Sequence, residues 1–380
     1  MPRPRPRRTL PRTLLGAGAL IPLVILAAAC APNATQDTLK PAGPYAEKID
    51  NLFRPVFWIA VGVFVVVEGL LMYLAVRYRH RKGRRDIPPQ VHGNQRLEIA
   101  WTIVPAIILV GVAIPTISGI YALAAKPSGQ ILEVNVIGHQ WWWEFDYPGL
   151  EVTTANVLHI PVGEPVYASL CAAGLGYHDQ VAPNDCQKEG AFGNVGDDVI
   201  HSFWVPELAG KQDVVPGRTN HLVLEADRPG TYTGQCAEFC GLSHAYMRFK
   251  VVAQTPSEFD AWVREQQANA VIPVKGSLAA QGQDLFSGVA GPQTGWCIAC
   301  HAVQGLKDAN GNPVVQNGGP NLTHLMSRDC FAGCIFAMNQ ADLERWLKDP
   351  PEVKPGSWMP DYGLSDQQVR ALVAYLMTLK

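Results

Sequence analysis

The chain has 380 residues, 48% of them hydrophobic, with 31 Lys and Arg against 33 Asp and Glu. That length allows two or three domains, and a net charge of −2 gives no support to a nucleic-acid partner. Its nine cysteines fall mostly into short-range pairs, which mean disulfides or metal sites in an exported protein and zinc in a cytosolic one.

The compartment is therefore read first. Residues 1–30 have the pattern of a bacterial signal peptide: Arg3, Arg5, Arg7, Arg8 and Arg12 precede an apolar run that ends in Ala27-Ala28-Ala29-Cys30. Cys30 then reads either as a lipidated N-terminus or as incidental to an ordinary or uncleaved leader. Residues 31–50 read as a linker. Val56 to Val76 and Ile99 to Leu123 are each long enough to cross a bilayer, and residues 51–126 are read as a two-helix transmembrane hairpin. Between the two spans lie Arg77, Arg79, Arg81, Lys82, Arg84, Arg85 and Arg96, which should stay cytoplasmic. Everything after about Lys126 is then extracytoplasmic. Glu68, at lipid depth, requires a protein partner, water or a proton; Glu98, at the cytoplasmic end of the second span beside Trp101, reads as an interfacial anchor.

Residues 127–254 change to short β-rich runs, at Ile131 to Ile137, Val152 to Ile160, Pro165 to Leu170, Thr219 to Ala226 and Arg248 to Val252, separated by Pro and Gly turns. Runs at this spacing predict an all-β sandwich or barrel. Cys171 to Asp198 interrupts the rhythm as an inserted loop. Cys171 and Cys186 could close it as a disulfide, stay unpaired, or belong to a metal site.

Gln235 to Met247 concentrates chemistry: Cys236, Glu238, Cys240, His244 and Met247 share one short loop. Thiolate, imidazole and thioether together are the donor set of a copper electron-transfer centre. His201, in V-I-H-S-F-W-V-P, adds a second imidazole, and two thiolates can bridge a pair of coppers. The competing readings are a Cys236–Cys240 disulfide, which leaves both histidines and the methionine without a role, and a Cys2His2 zinc site, which has little use for a thioether.

The segments L-E-I-A-W-T-I-V-P, G-H-Q-W-W-W-E-F-D-Y-P, H-S-F-W-V-P and C-A-E-F-C-G-L-S-H-A-Y-M resemble subunit II of cytochrome c oxidase, over roughly Asp50 to Val252. The resemblance implies a Greek-key cupredoxin fold holding the binuclear CuA centre. Cys236 and Cys240 would bridge the coppers, His201 and His244 would be terminal ligands, and Met247 and the Glu238 carbonyl weak axial ones. It also implies that the Glu238 side chain reaches a magnesium ion shared with subunit I, that Trp141 is the aromatic receiving electrons, and that Glu98 lies at the mouth of a proton channel. By composition alone, Trp141-Trp142-Trp143 reads as core packing or an interfacial belt.

Residues 255–275 read as a linker with a helical patch around Phe259 to Gln267, and residues 276–380 as a compact all-α unit. C-I-A-C-H, Cys297 to His301, is the attachment signature of c-type haem, with His301 as the proximal ligand. A CxxC redox disulfide is the alternative. The sixth ligand should be a methionine; of Met326, Met338 and Met359 the last is preferred, because S-W-M-P-D-Y precedes a final amphipathic helix. With G-P-N-L at Gly319 to Leu322, this arrangement resembles class I cytochrome c. Cys330 and Cys334 are extra to that pattern, at a spacing suited to a local disulfide.

The whole reads as a multidomain chain of the bacterial cytoplasmic membrane, with the CuA and cytochrome c domains outside. Its expected cofactors are CuA, haem c and magnesium. Its expected partners are the bilayer, oxidase subunits I and III, and an external donor such as a cytochrome c. Electrons would pass from that donor through haem c and CuA to subunit I, where oxygen is reduced and protons are pumped. Fusion would give the intramolecular step an effective concentration up to the millimolar range. The alternatives are the electron-receiving subunit of a CuA-containing nitric oxide reductase and, outside enzymes, a membrane-anchored copper carrier, which has no need of a haem.

Overall fold

A computed structural model describes residues 34–79, 90, 92–172, 199–291, 294–314 and 318–380. The signal peptide with Cys30, the basic residues Arg81 to Arg85, and Cys186 lie outside the described residues.

Two long helices come first, α1 (Pro44–Arg77) and α2 (Gln95–Ala124). Both are apolar enough to cross a membrane, and almost all their side chains face outward. A run of exposed Phe, Leu and Val of this length is stable only where lipid or another protein covers it. Pro44 takes the first helical position, where its missing N–H costs nothing, so α1 begins inside the stretch read as a linker. Asn94 caps α2 by accepting from Leu97 N at 3.3 Å, and the Glu98 carboxylate accepts from Asn94 N at 3.2 Å. Glu98 is thus a cap carboxylate at a helix N-terminus, where negative charge is favoured. Glu68 faces outward from the hairpin.

The extracytoplasmic domain is a sandwich of two five-stranded sheets. Its strands are β1 (Leu132–His139), β2 (Trp142–Tyr147), β3 (Val152–Ala155), β4 (Val157–Pro161), β5 (Val166–Ala172), β6 (His201–Trp204), β7 (Lys211–Val214), β8 (Asn220–Leu224), β9 (Gly230–Cys236) and β10 (Arg248–Gln254). One sheet runs β3-β2-β1-β5-β8, the other β4-β10-β9-β6-β7. The run expected as a single strand from Val152 to Ile160 is divided at Asn156, whose φ of 60° turns the chain from one sheet to the other. Asn tolerates that left-handed geometry, and its side chain also accepts from Trp143 N at 3.0 Å.

Rings from both sheets fill the core. Phe203 stacks on Phe249 at 4.4 Å, and Trp143 meets Phe203 edge-on at 5.4 Å. Gly234 on β9 makes room for this cluster, since a Cβ there would lie 2.2 Å from Phe249 Cζ. The start of α1 is tied directly to the sandwich: Ala42 N donates to Glu207 O, Ala46 N to Leu208 O, and Asp227 N to Ala42 O.

Within residues 255–275 lies α3 (Pro256–Gln266), opened by a reciprocal Thr255/Glu258 capping box. Its Phe259, Trp262 and Val263 are buried in the sandwich core, with Trp262 stacked on His159 at 4.3 Å. The helical patch is therefore a structural part of the β domain.

The C-terminal domain contains α4 (Leu278–Ser287), the short strands β11 (Cys330–Phe331) and β12 (Phe336–Ala337), and the helices α5 (Gln340–Lys348), α6 (Pro350–Val353) and α7 (Asp366–Leu376). α4 and α7 cross at Gly282, where a Cβ would sit 1.9 Å from Ala371 O. The helical expectation gains one addition, a hairpin at β11 and β12 closed by a Cys330–Cys334 disulfide.

Candidate metal centre and haem cleft

The loop joining β9 to β10 spans residues 237–247 and brings its soft donors together at one end of the sandwich. Cys236 Sγ lies 3.8 Å from Cys240 Sγ and 3.2 Å from the Glu238 carbonyl. Cys240 Sγ lies 3.5 Å from His244 Nδ1 and 3.8 Å from Met247 Sδ. His201, at the start of β6, places Nδ1 3.9 Å from Cys236 Sγ, and the His201, Cys236 and Cys240 donor atoms fall within 4.8 Å of one another. All six groups proposed from the sequence are thus in one cluster, with the two thiols free. Gly138 on β1 lets His201 in, since a Cβ there would come within 3.0 Å of its Cδ2.

The two thiols are hydrogen-bonded to each other. Cys236 is pulled down, first by its hydrogen bond with Cys240 and further by His201, against the effect of burial. Cys240 is pushed up, by that same hydrogen bond and then by burial. A buried site with two adjacent cysteine sulfurs, two imidazoles and a thioether fits soft or borderline metals, copper above all. Two sulfur donors 3.8 Å apart can bridge a pair of ions.

Of the three consecutive tryptophans, Trp143 is wholly enclosed in the core and Trp141 is buried at its edge. Trp142 stacks on His139 at 4.1 Å. Trp141 Nε1 donates to the Cys240 carbonyl at 2.9 Å, so its indole is hydrogen-bonded to the copper loop. Gln140 Nε2 donates to the same carbonyl at 2.7 Å. Glu238 is half-buried at the tip of the loop, beside Phe239 and Leu242, which are 73% and 77% exposed.

In the C-terminal domain, Cys297 and Cys300 sit on a short turn as free thiols, which removes the CxxC disulfide reading. His301 is held by a hydrogen bond from Nδ1 to Pro320 O at 2.8 Å, leaving Nε2 with its lone pair for a metal. Burial keeps this imidazole below its ordinary pKa, hence neutral and able to ligate. Both cysteines, His301 and Met359 line one cleft. Met326 and Met338 instead pack against the domain's own core, away from the cleft lining. Met359 Sδ lies 3.2 Å from Trp346 Nε1, which donates to it. Arg328, buried in the same cleft, donates to Asn321 O and has no acidic partner among the described residues. Burial lowers it only to about 10, so it stays a cation. Paired thiols, an oriented imidazole, a thioether across the cleft and an uncompensated buried cation suit a covalently attached haem, which carries carboxylates.

The haem cleft reaches the β domain. Its lining continues across the domain boundary to His139, Gln140, Trp141 and Trp142. Trp141 is only 7% exposed because Gly356 covers its ring. Ser243 Oγ donates to Pro355 O at 2.5 Å, Lys354 Nζ to Trp141 O at 2.5 Å, and Lys250 pairs with Asp329 at 2.5 Å. The disulfide hairpin joins this seam, with Gly333 packed against the Tyr246 carbonyl and Cys334 Sγ 3.9 Å from Asn156 O. Sequence reasoning missed all of these contacts, and Lys354 most plainly. Burial holds its ammonium down to about 7, while the nearby Cys240 opposes the shift. The only local signal was the position of Lys354-Pro355-Gly356 just ahead of Met359. Cys171 is disulfide-bonded; the Cys186 side of the expected pairing lies outside the described residues.

Comparison with known proteins matches this architecture segment by segment. Residues 132–254 match the periplasmic domain of cytochrome c oxidase subunit II, residues 32–118 its transmembrane domain, and residues 279–380 cytochrome c. Cytochrome c oxidase subunit 2 of Alkalihalophilus pseudofirmus is 39% identical over 365 residues, covering 94% of this chain and 95% of that protein. Its counterpart in Bacillus subtilis is 33% identical over 379 residues, covering 95% and 96%. Quinol oxidase subunit 2 of Bacillus cereus is 32% identical over 257 residues, covering 66% of this chain and 80% of that protein. Membrane helices, donor-bearing sandwich and haem-attachment domain are matched in the same order, and two relatives run the length of the chain; it belongs to the cytochrome c oxidase subunit II family.

Proposed function

We propose that this chain is the electron-receiving subunit of a haem–copper terminal oxidase, taking electrons from an external cytochrome c through its own haem c and CuA toward subunit I. The observation that carries this reading is the shared cleft, in which Trp141 lies between the haem-attachment residues and the copper loop. Bound at these residues, the two cofactors supply one-electron carriers whose geometry changes little with oxidation state.

The chain's own groups then have defined tasks. Cys236, Cys240, His201, His244, Met247 and the Glu238 carbonyl would hold the copper ions, the two thiolates being shared between them. Cys297 and Cys300 would attach the haem covalently, and His301 and Met359 would ligate its iron. Trp141 links the cleft to the copper loop through its hydrogen bond to Cys240 O. The half-buried Glu238 carboxylate faces a magnesium ion shared with subunit I, and Glu98 faces the proton-conducting side of that subunit. The helical hairpin anchors the assembly in the bacterial inner membrane, where subunit III completes it and oxygen reduction is coupled to proton pumping.

Two measurements test the proposal. Electron paramagnetic resonance of the purified, copper-loaded full chain should show hyperfine structure from two equivalent coppers; splitting from a single copper rules out the binuclear centre. Membranes holding the assembled complex should consume oxygen with reduced cytochrome c, and their failure to do so removes the oxidase reading.

A further inference from the structure

Lys354 follows the short helix α6 and reaches from the haem domain into the β domain. It is 4% exposed, and its ammonium has one partner, the Trp141 carbonyl at 2.5 Å. Among the described residues no carboxylate pairs with it. An ammonium has three N–H donors, and a buried, half-satisfied cation is heavily penalised unless an anion completes it.

The slot is nevertheless built for this side chain. Gly333 of the disulfide hairpin closes it from one side, where a Cβ would stand 3.3 Å from Nζ and 1.9 Å from Tyr246 O. The adjoining residues grip the copper loop, Pro355 through Ser243 and Gly356 against the Trp141 ring. Lys354 also lines the cleft shared with His301 and Met359. Among the described residues none supplies the missing anion, and a bound cofactor can. Two copper ions on two thiolates carry no net negative charge and cannot supply it. A haem in the cleft brings carboxylates.

We propose that Lys354 is a positioning residue that joins the two redox units, its ammonium held between the Trp141 carbonyl and a carboxylate of the haem. This rests on the proposed reading of the two sites. It gives the lysine two consequences at once: it fixes the haem domain against Trp141, and it places a positive charge beside the haem. Removing that charge favours the oxidised, more positive form of the haem and so lowers its midpoint potential.

The test uses the assembled oxidase with Lys354→Met, Lys354→Gln and Lys354→Arg. Electron equilibration between haem c and CuA is followed after flash photoreduction, and both midpoints are taken by spectroelectrochemistry. Lys354→Met should slow equilibration roughly tenfold, the rate consequence of losing one charge-assisted hydrogen bond. It should also lower the haem midpoint while leaving the copper midpoint and both spectra in place. Lys354→Arg should restore the rate. Lys354→Gln, which keeps a donor for the carbonyl but no charge, should keep the lowered haem midpoint, and it carries the test if the methionine variant does not mature. Wild-type rate and haem midpoint in Lys354→Met overturn the proposal, as does a shift confined to the copper midpoint. A parent protein lacking the two-copper signal or covalent haem would instead refute the functional reading beneath it.

Discussion

Trp141 and Gly356 are in ring-to-backbone contact across the domain boundary: a Cβ on Gly356 would lie 2.6 Å from Trp141 Cη2. Gly356 also holds φ at 81°, so a side chain there is opposed twice, by the indole and by the backbone. Gly356→Val should push the haem domain off the copper loop. The expected result is slower electron equilibration between the two centres, with the copper signal of the mature protein unchanged. Transient absorption after photoreduction measures it, and an undiminished rate would show that the contact is dispensable.

Copper uptake should release about one proton per site at neutral pH. The hydrogen bond with Cys240 draws Cys236 toward the thiolate and holds Cys240 toward the thiol, so the proton to be released on loading is that of Cys240. Titrating copper into the metal-free full chain in weak buffer, with a pH indicator, counts the protons. A yield near two would mean that both thiols are protonated before loading. Cys240→Ser should bring the yield toward zero and replace the two-copper signal with that of a single copper.

His159 makes the β domain acid-sensitive. Burial holds its imidazole neutral, with the pKa lowered to about 4 against an ordinary 6.5. The native state therefore binds fewer protons than the unfolded chain between those values, and stability falls as pH drops from about 6.5 to 4. The full shift corresponds to roughly 3 kcal/mol. His159→Gln, which keeps a polar group near Gln254, should flatten the dependence of the melting temperature across pH 7 to 4.5. An unchanged slope would assign the acid sensitivity to other groups.

Gly282→Ala tests the crossing of α4 and α7. Its methyl would meet Ala371 O at 1.9 Å, and the helices must part to admit it. A loss of about 1–3 kcal/mol in the haem domain is expected, as for overpacked cores elsewhere. The haem Soret band followed during denaturant unfolding reports on that domain, while the copper signal follows the sandwich, which should be little affected.

The donor cluster was readable in the sequence because five of its six members lie in one short stretch, where spacing alone brings them together; His201 was readable through the resemblance carried by H-S-F-W-V-P. Met359 stood out by its place before the last helix. The fold was less legible where local pattern and tertiary role diverge. β2 is hidden inside a tryptophan run whose members serve three purposes. Asn156 divides an unbroken apolar run between two sheets through a single left-handed residue. The seam between domains gave no signal, because its strongest contacts end on backbone carbonyls: Lys354 on Trp141, Ser243 on Pro355, Gly333 against Tyr246. A carbonyl acceptor has no side-chain identity to read.

The placement of α3 changes what the covalent fusion accomplishes. With its Phe259 and Trp262 in the sandwich core, the tether cannot begin before the end of that helix. The next residues are already held by the haem domain: Gln266 bonds Ser327, Gln304 donates to Gln267 O, His324 bonds Ala268 O, and Ala270 N donates to Gln304 O. A flexible leash would raise the encounter frequency of two bodies that still have to find each other. Here the contacts leave no free leash: the C-terminal domain packs as an outer storey on the sandwich, and the path from its cleft to Trp141 is laid down when the chain folds.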